Sequence, residues 1–247
     1  MKSERFLAIC LQEGLTPNKE HLQLYLSQYL FKDVDFGAKS VLDIGGGAGT
    51  FSFYAAVKGA RRVVCLEPEL SGGRHGSVSK FERVRDKLSL ENTTLQNVTF
   101  QDFDPGQQKF DIILLHNSIN HLDEEACADL LRSKEARERY KLIFEKLNRI
   151  SRKGTKLVIA DCSRYNFFAS LGFKNPFAKT IEWKKHQPPE CWSRMLRDFG
   201  FEQIKIVWPP YYLLRPLARI LLNNRLASYF LNSHFILSME KGVGSSK

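Results

Sequence analysis

In "VLDIGGGAGTFSFYAA" (41–56) four glycines fall within five positions, directly after an apolar run that ends in an acid. Glycine lacks a Cβ, so such a loop admits unusual dihedrals and lets a ligand approach the backbone. The flanking pattern reads strand, turn, helix. That order puts the loop at the carboxyl end of a sheet, where open α/β sheets bind ligands. Three loops of this kind carry different chemistry. A phosphate-cradling loop needs Gly-Lys-Ser/Thr after its glycines, and this chain has Ala48-Gly49-Thr50 with no lysine. A dinucleotide fingerprint G-x-G-x-x-G would use Gly45 and Gly47 but meets Thr50 at its third glycine. The pattern acid-x-Gly-x-Gly-x-Gly fits without a gap, as Asp43, Gly45, Gly47 and Gly49. Glu67 in "VVCLEPE" follows about 20 residues later, the spacing at which an acid takes ribose hydroxyls on such folds.

The elements around the loop alternate. Strands are expected at 40–45, 62–68, 98–104, 110–118 and 153–163. Helices are expected at 50–60 and 79–92, with one long helix or two over 123–151. Strands alternating with helices imply right-handed crossovers and a parallel sheet covered on both faces. The continuous apolar character of "DIILL" and "KLVIA" suits strands buried on both sides. Residues 1–38 read as a helical lead-in, and 164–188 as an irregular aromatic segment. A helix at 189–201 and strands at 202–208 and 233–240 follow, the last two separated by an amphipathic helical insertion at 211–231. The whole of 1–247 is expected to form one decorated α/β domain, a length that can bury a full core.

Charge and cysteine content bound the setting. The formal net charge is +10, which suits nucleic acid, an anionic membrane surface or an acidic small substrate. Most of the basic residues lie among acids on helix-like stretches, as a solvated surface does. No RNA- or DNA-binding signature is present among them, so nucleic acid is the disfavoured partner, although the charge keeps it open. The five cysteines form no C-x-x-C pair, so neither a zinc site nor a disulfide framework is indicated. The opening "MKSERFLAICLQEGL" does not read as a signal peptide, and no apolar run reaches the ~18 residues of a membrane span. A reducing, cytoplasmic setting is expected.

The combination resembles the class I S-adenosylmethionine-dependent methyltransferases, whose first motif is acid-x-Gly-x-Gly-x-Gly. The resemblance covers roughly residues 38–208, with a weaker match to 240. It implies a Rossmann-like sheet of seven strands, mostly parallel, with helices on both faces and an antiparallel C-terminal strand. It implies S-adenosylmethionine as cofactor, with Asp43, Gly45, Gly46, Gly47 and Gly49 in the loop and Glu67 on the ribose. Family members read the adenine amino group with an acid near the end of the third strand. Asp102 in "FQDFD" matches, with Phe103 as an apolar neighbour for the ring and Asp104 as a competitor. Their fourth strand starts with Phe-Asp and ends near the sulfonium; "FDIILLHNSINHL" (110–122) matches and adds His116 and Asn117 to the cofactor site.

Methyl transfer aligns a donor methyl with an attacking atom, and a weakly acidic acceptor must also lose a proton. His116, His121 and His186 are the candidate bases, and no metal is required. The Asn/Asp-Pro-Pro-Tyr/Phe tetrapeptide of amino-group methylases is absent after the fourth strand, where "HNSI" stands. The aromatics Tyr165, Phe167, Phe168, Phe173, Phe177 and Trp183 suit an aromatic, apolar or lipid-linked small-molecule acceptor, with O-methylation favoured; they equally suit plain packing of a cap. Arg215, Arg219 and Arg225 in the insertion suit contact with a membrane surface, as well as packing on the domain. An aminopropyl transferase of the polyamine type and a non-catalytic cofactor-binding subunit share the sheet and the loop, and stand as alternatives.

Overall fold

The computed structural model describes residues 2–69, 76–210 and 222–242. It contains one seven-stranded sheet in the order β3-β2-β1-β4-β5-β7-β6. β1 (Ser40–Ile44), β2 (Arg62–Leu66), β3 (Thr93–Gln96), β4 (Phe110–His116) and β5 (Ser151–Cys162) pair in parallel. β7 (His234–Lys241) runs antiparallel to both β5 and β6 (Phe201–Val207). This is the Rossmann-like α/β arrangement that the alternation implied.

All five residues of β1 are buried, as befits the centre of a parallel sheet. Leu42 and Ile44 face one apolar cluster, with α5 (Glu124–Asp129), α6 (Lys134–Arg149) and α8 (Pro189–Arg197). Val41 faces a second cluster with α1 (Lys2–Gln12), α3 (Thr50–Val57) and α4 (Ser77–Leu88). In the first cluster Trp192 is fully buried, with its ring 5.1 Å from that of Tyr140 and 6.2 Å from that of Phe144. Burying a single large apolar side chain contributes about 1.5–3 kcal/mol. The lead-in is helical as expected. α1 and α2 (Lys19–Leu24) are followed directly by a π-helix (Tyr25–Leu30), and Phe6, Cys10, Leu26 and Leu30 are all buried in the second cluster.

One expectation needs revision. The third strand is Thr93–Gln96, not 98–104. The stretch after it turns: the Thr99 hydroxyl accepts from the Asp102 N–H and donates to the Asp102 carboxylate, so the alternating "VTFQDFD" closes on itself. The long helical stretch is two helices, each with its own cap. The Asp123 side chain accepts from Ala126 N–H, and Ser133 accepts from Ala136 N–H. Of the expected insertion, residues 211–221 lie outside the described residues, and the remainder holds α9 (Arg225–Phe230).

Candidate active site

The glycine loop joins β1 to α3 at the carboxyl end of the sheet. Gly45 and Gly46 both donate to the Leu66 carbonyl, at 2.8 and 3.1 Å, which ties the loop to the end of β2. Most of the glycines are required by the protein itself. A Cβ on Gly45 would lie 2.6 Å from the Ser118 Cβ, on Gly46 2.5 Å from the Cys65 sulfur, and on Gly49 2.4 Å from the Phe81 ring. Gly47 is different. It has φ +56°, and a Cβ there would meet nothing within 4 Å. The open side of the loop is therefore at Gly47, whose N–H donates to Glu67 Oε2 at 2.9 Å.

Two acids stand behind this opening. Asp43 is fully buried; its Oδ2 accepts from Ser52 Oγ at 2.7 Å, while Oδ1 has no partner. Burial pushes its carboxyl up to about 7, the Ser52 hydrogen bond opposes that, and the neighbouring Glu67 adds to it. Glu67, at the end of β2, spends one oxygen on the loop. Among the described residues, five buried side-chain atoms lack a hydrogen-bond partner. Three of them, Asp43 Oδ1, Asn120 Oδ1 and Asp161 Oδ2, belong to residues at or just beyond the carboxyl ends of β1, β4 and β5. An orphaned buried acceptor costs about 1–3 kcal/mol, so the three place a polar cost at the carboxyl end of the sheet.

The three histidines have separate surroundings. His116 ends β4, with its ring 4.1 Å from that of Phe51 in the first turn of α3. Its Nε2 lies 3.0 Å from the Tyr25 hydroxyl, which also lies 3.0 Å from Nε2 of His234 on β7. One hydroxyl donates a single hydrogen, so one imidazole accepts from Tyr25 and the other donates to it. Burial, then the proximity of His234, pushes His116 down to about 3; burial pushes His234 down to about 4. Both rings are neutral at physiological pH. His121 is exposed, on the short 3₁₀ turn after β4, with Nδ1 2.6 Å from Glu124. His186 is buried, and its Nδ1 lies 3.0 Å from Asp161 Oδ1. Asp161, Tyr25 and His234 are absent from the sequence-level candidates. Asp161 carries a readable signal all the same, an acid closing an apolar strand, as Asp43 does.

Asp102 and Phe103 follow β3 rather than ending it. Asp102 is exposed in the turn beyond β3, bound to Thr99. Phe103 is buried in the core with its ring 6.5 Å from that of Phe110, so it offers no face to a ligand. Asp104 is likewise exposed, accepting from Gly106 N–H. Asn117 is exposed at the end of β4 with φ +52°, a left-handed turn that asparagine tolerates.

The aromatic segment is built rather than loose. Asn166 is fully buried, and its amide donates to the carbonyls of Tyr229 and Leu231 and to Ser233 Oγ. Asn175 donates to Asn166 Oδ1 at 3.1 Å and to the Leu231 carbonyl at 2.5 Å. These two side chains fasten the segment to α9 and to the start of β7. Phe167 packs on Phe230, whereas Tyr165, Phe173 and Phe177 are exposed, at 51%, 65% and 41%. Arg225 pairs with Glu190 at 2.8 Å and sits over the Trp208 ring, so it binds the domain. No helix of the described residues is long and apolar enough to cross a membrane.

Comparison with known proteins agrees with this architecture. Residues 18–206 match a family model described as a methyltransferase domain. No curated protein matches the sequence. A crystal structure of a putative S-adenosylmethionine-dependent methyltransferase from Listeria monocytogenes superposes with a TM-score of 0.58 at 16% identity, over 88% of this chain and 98% of that one. The N-methyltransferase NodS from Bradyrhizobium japonicum WM9 gives 0.53 at 13%, over 91% and 93%. An O-methyltransferase family 2 protein from Planctomyces limnophilus DSM 3776, in complex with apigenin, gives 0.52 at 13%, over 85% and 51%. At these identities the likeness shows the fold and does not choose the acceptor atom. The opening at Gly47, the unpartnered Asp43 oxygen and the acid at the end of β2 fit a cationic, ribose-bearing cofactor. The family match joined to this loop and sheet makes the chain a class I S-adenosylmethionine-dependent methyltransferase, with S-adenosylmethionine as its cofactor.

Proposed function

We propose that this methyltransferase acts on a hydroxyl oxygen of a small, ring-bearing molecule, held between the carboxyl ends of β4 and β5 and the segment 164–188. The observation that carries the reading is the segment itself: two buried asparagines fix it in place while Tyr165 and Phe173 present open aromatic surface. Rings of this kind recognise flat apolar acceptors. The apigenin bound by the Planctomyces limnophilus protein is an acceptor-sized molecule on the same fold, and lends support.

The cofactor lies over the loop in this reading. Gly47 gives it room, Gly45, Gly46 and Gly49 let the loop close on Ser118, Cys65 and Phe81, and Glu67 turns its remaining oxygen to the ribose. Asp43 meets polar hydrogens from beneath, and His116 and Asn117 border the reacting end. S-adenosylmethionine supplies an activated methyl on a cationic sulfur. The carboxylates of Asp43 and Glu67 favour that cation in a chain otherwise strongly basic. Asp102 spends Oδ2 on the Thr99 hydroxyl and turns its other oxygen to the adenine amino group.

The test supplies methyl-labelled S-adenosylmethionine with matched aromatic probes bearing either a hydroxyl or an amino group. Label is expected in the methyl ether of the hydroxyl probe. Label in the amine alone contradicts the oxygen assignment. Binding without transfer to any probe returns the chain to the role of a supporting subunit.

A further inference from the structure

We infer that Asp161 and His186 remove the acceptor's proton: Nε2 of His186 is the base, Asp161 is its positioning residue, and the acceptor is an aromatic hydroxyl that is protonated at neutral pH. The inference rests on the reading above. Asp161 ends β5 and is fully buried. Its Oδ1 accepts the Cys162 N–H at 2.8 Å and lies 3.0 Å from His186 Nδ1, while its Oδ2 has no partner. Oδ1 is already an acceptor, for the Cys162 N–H, and in this inference it accepts from His186 as well, with the ring hydrogen on Nδ1. That leaves Nε2 with its lone pair free. Nε2 has no hydrogen-bond partner among the described residues, and it is not one of the sealed, unsatisfied atoms.

The sequence holds this ring in place. The 3₁₀ turn Trp183–Lys185 precedes it, and Lys185 in that turn is paired with Glu124 at 3.0 Å and with Glu182 at 3.2 Å. Gln187 donates to the Cys127 carbonyl, and Pro188 and Pro189 then fix the entry to α8. The titratable groups that interact with Asp161 include His186, His234, Cys127, Cys162 and Tyr140, and the Arg164 guanidinium lies alongside, donating to Gln187 Oε1 at 3.4 Å. Burial raises the two thiols and the phenol, so they stay neutral. His234 is neutral and shares Tyr25 with His116. His186 is the ionisable side chain within hydrogen-bond distance of the Asp161 carboxylate among the described residues. The other two candidates are less suited: His116 has Nε2 engaged by Tyr25 and is a poor base, and His121 is an exposed partner of Glu124.

In the step, the acceptor oxygen bonds to the methyl carbon as the carbon–sulfur bond breaks. The electrons of that bond stay on sulfur, and the hydroxyl proton passes to His186 Nε2. The imidazolium is held by Asp161 until water takes the proton.

The experiment compares wild type, Asp161→Asn and His186→Gln on two probes, phenol and 4-nitrophenol, at about pH 8. Phenol keeps its proton there (pKa ~10, as for tyrosine), and 4-nitrophenol has largely lost it. His186→Gln is expected to slow label transfer to phenol by roughly 100-fold or more and to 4-nitrophenol by less than about tenfold. Asp161→Asn is expected to slow phenol in the same selective way and to shift its pH profile. Nitrogen-15 spectra give a readout without turnover: Nδ1 of His186 protonated in wild type, and a lower His186 pKa in Asp161→Asn. Equal losses on both probes overturn the pair. So does an unprotonated Nδ1, or no transfer to either phenol by a wild-type chain that binds S-adenosylhomocysteine. Failure of the wild type to bind S-adenosylhomocysteine counts instead against the donor site, and the spectra still decide the pair.

Discussion

Gly49→Ala is expected to lower the melting temperature by roughly 10 °C, whereas Gly47→Ala lowers it by only about 2–8 °C yet weakens S-adenosylhomocysteine binding at least tenfold (~1.4 kcal/mol). The two glycines sit two positions apart in one loop, both with positive φ, +83° and +56°. An alanine pays for the left-handed backbone at either place, at about 1–2 kcal/mol. Only at Gly49 does the new methyl strike the core. It would lie 2.4 Å from the Phe81 ring and 2.9 Å from Phe53, both fully buried and packed 4.7 Å apart. Overpacking of that kind adds about 1–3 kcal/mol. At Gly47 the methyl enters open space on the ligand side. Thermal melts with calorimetry on both variants separate the effects. Unchanged binding by Gly47→Ala would remove the cofactor from that side of the loop.

Asp43→Asn is expected to stabilise the ligand-free protein at pH 8 and to leave it nearly unchanged at pH 4. The folded chain raises this carboxyl from 3.8 to about 7. Between those values the folded state holds a proton that the unfolded state has lost, so stability falls as pH rises through the window. Below it both states are protonated and the effect vanishes; above about pH 7 the penalty is constant, on the order of 4 kcal/mol. Other carboxylates are shifted the opposite way, Asp111 and Asp33 among them, and give wild type and variant the same background slope. The difference between the two proteins therefore isolates Asp43. Urea denaturation at pH 4, 6 and 8 measures it. A pH-independent difference would mean that the residue is ionised in the fold throughout. The same substitution is expected to weaken cofactor binding, because the charge that destabilises the fold is the one that meets a cation.

The glycine loop, the acid closing β2 and the alternation of elements were legible because each is local: strand, turn and helix follow one another within a few residues. The third strand was misplaced for an equally local reason. "VTFQDFD" alternates like a strand, but Phe100 and Phe103 are both buried, three apart, while Thr99 closes a turn. The true β3, "TTLQ", is an edge strand with Thr94 and Gln96 exposed, so it needs little apolar character. The rest of the site is assembled by contacts that a linear reading does not join. Tyr25 meets His116 and His234 across 91 and 209 residues, and His186 meets Asp161 across 25. Asn166 and Asn175 look like loop polar residues in sequence. Only the folded chain shows them buried and holding the aromatic segment.

The most direct test of the donor site is calorimetric titration of the wild type and Glu67→Ala with S-adenosylmethionine and S-adenosylhomocysteine. Glu67 already contacts the loop through Gly47 N–H, and it is the acid assigned to the ribose. Roughly micromolar binding is predicted for the wild type, weakened at least tenfold (~1.4 kcal/mol) in the variant. Absence of binding by a folded wild-type chain, or equal affinity in the variant, would contradict the site as drawn.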